Sequence, residues 1–421
     1  MTDTSTPLSA NREARGSASD FARRTFVGHD QQGLSLVELM VALLISTMIM
    51  IGLVQVFSAS RLTYTMDEGL ARLQENGRFA VDFLAHDIRT AGNMGCLGNI
   101  PPSKLSQMTT NYLNSTSSPF DLTRGGIEGF DAVGTTPGLS YTLPTLYPAA
   151  NVSNTSPTLD TNLVAGAVKG SDVLVLRMMD SSSVELVAPY NNSAQIFVSQ
   201  PNSIYAGQIL VVTDCDRASI FQTTGTSANS GTTNVAHATG TGGTSPGNIC
   251  PNWGVSNCPG KTYKNGAQIA AFTTTVYYIG KSASTTTSYT GPSLFRRTWP
   301  SGSPVDVELV EGVENMQILY GVDSDHDEPP TSSVWHNVDR YVPASGIPTD
   351  PTTGQPDWAH VVSVRVGLLV SGRVSATATA QTNSLTDTAT YSVDGVKLAL
   401  PASDTRERRV FTATIELRNR H

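Results

Sequence analysis

The chain has 421 residues and a net charge of −8, and only 15 % of its residues are Asp, Glu, Lys or Arg. No basic cluster stands out, which argues against a nucleic-acid surface. The length allows a sizeable core, and the abundance of Ser and Thr suits a protein whose bulk lies outside the cytoplasm.

The first feature in chain order is an apolar run. From Leu34 to Phe57 the strongly polar side chains are Glu38 and Gln55, while Ser35, Ser46 and Thr47 can bond their own helix backbone. A helix of roughly 20 apolar residues crosses a bilayer core, so residues 34–57 read as a transmembrane segment. An ionised carboxylate there costs ~2.5–3.5 kcal/mol on insertion scales, and such residues usually mark function. Upstream, Arg12, Arg15, Arg23 and Arg24 balance Asp3, Glu13, Asp20 and Asp30. Arg23 and Arg24 lie close enough to hold the N-terminus in the cytoplasm.

The stretch Gly33-Leu34-Ser35-Leu36-Val37-Glu38 resembles the processing site of type IV prepilins and type II secretion pseudopilins. The resemblance implies that residues 1–33 are a leader, that a prepilin peptidase cuts between Gly33 and Leu34, and that Leu34 is then methylated. It also implies that Glu38, the fifth mature residue, pairs with a neighbouring subunit's N-terminal amine. A carboxylate buried in a filament needs such a cation, and the pair would set the register between subunits. The leader departs from the family pattern in its length and in ending His29-Asp30-Gln31-Gln32 rather than with basic residues. The rival reading is a secretory signal cut near Ser58-Ala59-Ser60. Its apolar region would exceed the usual length of about 7–15 residues and would contain a glutamate.

Beyond the membrane segment the helix continues over residues 58–92. Leu62, Met66, Leu70, Leu73, Ala80, Leu84 and Ile88 recur at steps of three or four, the mark of one helical face. Gly69 and Gly77 each weaken it by ~1 kcal/mol relative to alanine, so a bend is expected there. Ala91-Gly92-Asn93 is the stop. At ~1.5 Å per residue the whole helix is on the order of 85 Å long.

The rest, residues 93–421, reads as a β-rich head. Apolar, β-branched runs at 172–177, 195–198, 208–213, 270–279, 294–299, 316–320, 361–370 and 410–417 alternate with turn-rich connections, which predicts an antiparallel sheet with long loops. The run 360–372 is expected to be a central strand. The fold class is therefore α+β, a long N-terminal helix packed on one large sheet, as in pilins. Gln222–Asn248 is Thr/Ser/Gly low complexity and is expected to be mobile, and Ser103–Asn162 is weakly patterned.

Cys96, Cys215, Cys250 and Cys258 are even in number, in a head expected outside the cytoplasm, which favours disulfides. Cys250 and Cys258 would close a small loop, and Cys96 with Cys215 would tie the helix end to the sheet. Their spacing lacks the close pairs of zinc sites, and free buried thiols remain the alternative.

A second resemblance runs over the head. Arg78-Phe79-Ala80, Asp87-Ile88-Arg89-Thr90-Ala91-Gly92, Gly95-Cys96, Asp214-Cys215, Leu294-Phe295-Arg296, Glu311-Gly312-Val313-Glu314-Asn315-Met316, Tyr320-Gly321-Val322-Asp323 and Arg409-Val410-Phe411 with Leu417-Arg418-Asn419 look, in order, like landmarks of the PilW family of minor pilins. That resemblance implies a low-abundance subunit that primes pilus assembly and stays near the tip, with roles in twitching motility and cell adhesion. Its partners would be other minor pilins, the major pilin and the prepilin peptidase. Before assembly it would sit in the inner membrane as a single-pass protein with a periplasmic head. A J-type pseudopilin of a type II secretion system and a membrane-anchored adhesion module are the alternatives.

Signs of other chemistry are few. Gly243-Thr244-Ser245-Pro246-Gly247 matches G-x-S-x-G, but it lies in the low-complexity tract without the strand and helix that the motif needs. The seven histidines form no close metal-ligand pair, so an enzyme is the weakest class. Asp323, Asp325 and Asp327 alternate as a calcium loop begins, without its glycine or its distal glutamate. The competing reading is a solvated acidic turn, and no other cofactor is expected.

Overall fold

The computed structural model describes residues 35–95, 102–114, 118–144, 155–164, 166–190, 193–240, 246–250, 261–282, 291–323, 337–372, 390–401 and 406–419. The chain divides into two compact units with their boundary between Arg61 and Leu62. In the first unit the described residues from Leu36 on belong to one helix, Leu36–Thr90, which continues into the second unit. The helix is unbroken at Gly69 and Gly77, so neither glycine ends it. Gly77 instead lets the Phe411 ring close in, since a Cβ there would lie 2.2 Å from it.

In the second unit the helix buries Leu73, Gly77, Ala80, Leu84, Ala85 and Ile88. These recur at three- and four-residue steps and form one face. The stripe starts later than its sequence pattern suggests, because Met66 and Leu70 are exposed. The buried face packs with Leu174, Leu176, Tyr277, Ile279 and Leu294 from one sheet and with Val313, Ile318, Val364, Val366 and Leu368 from another.

The single sheet expected from the sequence is therefore corrected. Among the described residues the strands form sheets of 13, four and three strands. Strand Gln268–Lys281 organises the largest, pairing with Ile209–Thr213 and Val184–Val187 near its start and with Val173–Met179 and Pro292–Thr298 further along. Val305–Glu311 pairs with Pro292–Thr298. The four-stranded sheet is antiparallel, in the order Arg340–Val342, Val313–Val322, Val361–Ser371, Arg408–Glu416. Val361–Ser371 is thus interior, as its unbroken apolar run predicts.

The low-complexity tract is a second correction. Residues Gly225–Asn229 and Thr232–Ala236 form a hairpin that extends the sheet from Gln195–Ser199. Thr233 and Val235 alternate inward while their neighbours are part-exposed, and β-branched threonine suits a pleated surface. The weakly patterned stretch also holds a fully buried strand, Ile127–Ala132. Its Glu128 and Asp131 break the apolar pattern because both are held inside by specific partners. Glu128 accepts from Arg124 Nη1 and Arg177 Nη2 at 2.6 and 2.7 Å. Asp131 accepts from the backbone N–H groups of Ala344 and Ser345.

Candidate functional site

The feature most in need of a partner is the helix before the head. Its first backbone bond runs from Leu39 N–H to the Ser35 carbonyl at 3.1 Å. Glu38 lies in the first turn, where a negative charge complements the helix dipole. Large apolar side chains from Leu36 to Phe57 are exposed on every side. The most apolar window of 18 residues has mean hydropathy 2.4, and none of it is buried. Thr47 turns its hydroxyl onto the Leu44 carbonyl at 2.8 Å, the internal satisfaction that a polar group needs in hydrocarbon. The segment is long and apolar enough to cross a membrane. Among the described residues no cation pairs with Glu38 inside the chain. Gly33 and Leu34 lie outside the described residues.

The other end of the helix is fixed by groups that periodicity does not reveal. Tyr277 donates its hydroxyl to Asp87 Oδ2 at 2.6 Å. Burial, and then the Asp87 carboxylate, push the Tyr277 hydroxyl far above the usual phenol range. Gly92, at φ +75°, turns the chain out of the helix and donates its N–H to the Arg177 carbonyl at 2.9 Å. Asn93 Nδ2 donates to the Met179 carbonyl at 3.1 Å, and Asn419 Nδ2 donates to the Thr90 carbonyl at 3.0 Å. The last carbonyls of a helix need outside donors, and here the C-terminal segment supplies one of them. This clamp places the head's first and last described segments on one helix terminus.

The remaining sequence candidates are only partly brought together. Cys215, at φ +69°, and Cys250 are each disulfide-bonded, whereas Cys96 and Cys258 lie outside the described residues. Asp323 is buried at the end of Val313–Val322. Its N–H donates to the His360 carbonyl at 2.9 Å, and its carbonyl faces His360 Nδ1 at 2.9 Å. Asp325 and Asp327 fall outside the described residues, and among those described no group of three or more His, Cys, Asp or Glu is arranged to hold a metal. Gly243 and Ser245 are also outside.

Two family models match the chain. The one described as Type IV Pilus-assembly protein W covers residues 276–419, which take in all of the four-stranded sheet and the C-terminal half of the clamp. The prokaryotic N-terminal methylation motif covers residues 28–54, the segment around Gly33 and Glu38. Comparison with curated proteins and with solved structures returns no match.

Proposed function

We propose, from the premise that a chain carrying a Type IV Pilus-assembly protein W region and an N-terminal methylation motif is a pilin-like protein related to the type IV pilus, that it is a minor pilin that primes assembly and sits in the tip complex. The carrying observation is the exposed apolar helix whose first turn holds a carboxylate, Glu38, with no cationic partner among the described residues. Such a helix is a structural part, and its chemistry is that of assembly. In the membrane it lies in lipid, and in the filament the helices of neighbours replace the lipid. Glu38 then meets a neighbour's N-terminal amine, whose charge offsets the cost of burying the carboxylate. The partners are other minor pilins and the major pilin, after cleavage by the prepilin peptidase with the head on the periplasmic side. A large head favours a terminal place, because bulk on every subunit hinders tight helical packing. The disulfides pair Cys96 with Cys215 and Cys250 with Cys258 in this reading.

Mass spectrometry of the membrane form tests processing. The expected mature N-terminus is N-methylated Leu34, and Gly33→Val leaves the leader attached. A mature N-terminus at Ser60 would overturn the reading.

A further inference from the structure

Strand Val305–Glu311 pairs on one side only, with Pro292–Thr298, and forms an edge of the largest sheet among the described residues. An edge presents a row of backbone donors and acceptors, which proteins guard with charged side chains, proline, bulges or a cover. Here the sequence is VDVELVE, whose register shifts opposite Leu294 and Phe295, and whose acids Asp306 and Glu308 are engaged within the sheet. One acid, Asp306, is neutralised by Arg297, with Nη2 to Oδ2 at 2.6 Å.

The side chains of this edge share a seam with the helix. Val307 lies opposite Arg296, which lies opposite Tyr277, so Val305 and Val307 face the side on which Tyr277 meets Asp87. Further along, Asn76 Nδ2 donates to the Glu311 carbonyl at 3.1 Å. Asn76, Phe79, Phe83 and Asp87 follow at steps of three, four and four, so they share one helix flank. The strand therefore runs beside that flank. Phe79 and Phe83 are 48 % and 40 % exposed, and Val305 and Val307 are 45 % and 41 % exposed. On the opposite face, Glu308 accepts from Ser282 through Oε2, while its Oε1 is buried with no hydrogen-bond partner.

We infer that this edge receives an extended strand from a neighbouring subunit of the filament. Residues 305–310 pair with no second strand among those described, and this selects the occupant, because a strand satisfies a row of backbone groups and a helix cannot. Alternate apolar side chains of the guest lie against Phe79, Phe83, Val305 and Val307. A basic or hydroxyl side chain opposite Glu308 supplies the missing donor, since directly opposed residues lie within side-chain reach. The inference rests on the filament reading and names the surface by which the head would recognise its partner.

The full chain is tested in cells that assemble the filament, with Val307 replaced by photoreactive p-benzoyl-phenylalanine. The expected cross-link joins position 307 to one segment of another subunit processed by the same peptidase. Cross-links only to lipid, to its own chain or to a partner's N-terminal helix overturn the inference. In parallel, Val305→Lys with Val307→Lys is expected to lower pilus number about tenfold with the melting temperature kept. Should that pair unfold the head, Phe79→Ser with Phe83→Ser on the helix is read instead. Unchanged piliation in the folded variant overturns strand addition. If Gly33→Val abolishes pili in the same strain, strand addition alone has failed; if Gly33→Val also leaves pili intact, the filament reading fails with it.

Discussion

Gly126 and Gly92 meet backbone to backbone where the helix ends, and a Cβ on Gly126 would lie 2.0 Å from the Gly92 Cα and 2.5 Å from its N. Main chain cannot rotate aside as a side chain can, so Gly126→Ala is expected to destabilise the head by about 1–3 kcal/mol, as overpacking does. Gly69 gives the opposite sign. Nothing lies within 4 Å of a Cβ there, and helix propensity favours alanine by about 0.8–1 kcal/mol. Denaturant midpoints of the two variants should move in opposite directions. A third residue carries pH dependence. His237 is buried against Phe221, with ring centroids 5.5 Å apart, and burial lowers its pKa to about 4. The unfolded chain therefore binds the proton more readily, and the stability due to this group is full above about pH 6.5 and lost as pH falls towards 4. Asp131 and Asp172 oppose that trend. Burial raises both carboxyls, so their contribution is full at low pH and is lost as pH rises through the folded pKa. A difference measurement separates the two effects. Between pH 6.5 and 4, His237→Gln should lose roughly 3 kcal/mol less than the parent chain, and parallel curves would remove the assignment.

Among the elements, the four-stranded sheet is locked at one end by Glu314. Its fully buried carboxylate accepts from Arg408 Nε at 2.6 Å and Nη2 at 3.2 Å, and meets Arg406 Nη1 at 2.8 Å. Glu314 is on Val313–Val322 and Arg408 on Arg408–Glu416, so the bridge spans the strand between them. Removing one partner of a buried pair strands the other charge, at a cost of about 3–5 kcal/mol. Glu314→Gln should therefore lower the denaturant midpoint far more than Glu416→Gln on the exposed end of the same sheet. The elements differed in how far the sequence disclosed them. Val361–Ser371 and Gln268–Lys281 were legible because apolar runs leave few alternatives, and the helix because its stripe repeats. Ile127–Ala132 was hidden, since Glu128 and Asp131 look like loop residues until Arg177 and the Ala344 backbone are brought beside them by distant chain. The hairpin 225–236 was hidden by composition, although its Thr/Val alternation carries a strand period. The division into three sheets could not be read at all, because it depends on pairing between strands far apart in the chain. In the exposed apolar part of the helix, Glu38 stood out as a carboxylate in an apolar run. The clamp of Tyr277 on Asp87 and of Asn419 on Thr90 left no periodic trace.

For the whole molecule, the division at Arg61 and Leu62 falls within the long helix, after its exposed apolar part and before the part that belongs to a head with its own core. The apolar side chains of Leu36–Phe57 are exposed, while the head buries a core of its own that begins at Leu73. A chain shortened to begin at Leu62 should then unfold cooperatively at the full-length denaturant midpoint and remain soluble without detergent. Substitution in the bare segment should correspondingly act on assembly and leave the head fold alone, and Glu38 gives the sharpest case. Removing its carboxylate relieves an insertion cost of about 2.5–3.5 kcal/mol, so Glu38→Ala should enter the membrane and be cleaved at least as well as the parent chain. On the proposed reading it loses the anion for a neighbour's amine, together with the register which that pair would fix. The expected phenotype is a processed, methylated protein that accumulates in the membrane with a normally folded head and is missing from sheared filaments. Glu38→Gln, which keeps the shape and loses the charge, should fail in the same way. Filaments that take up either variant at the parental level would show that the charge is dispensable and that packing of the apolar helices alone sets the register.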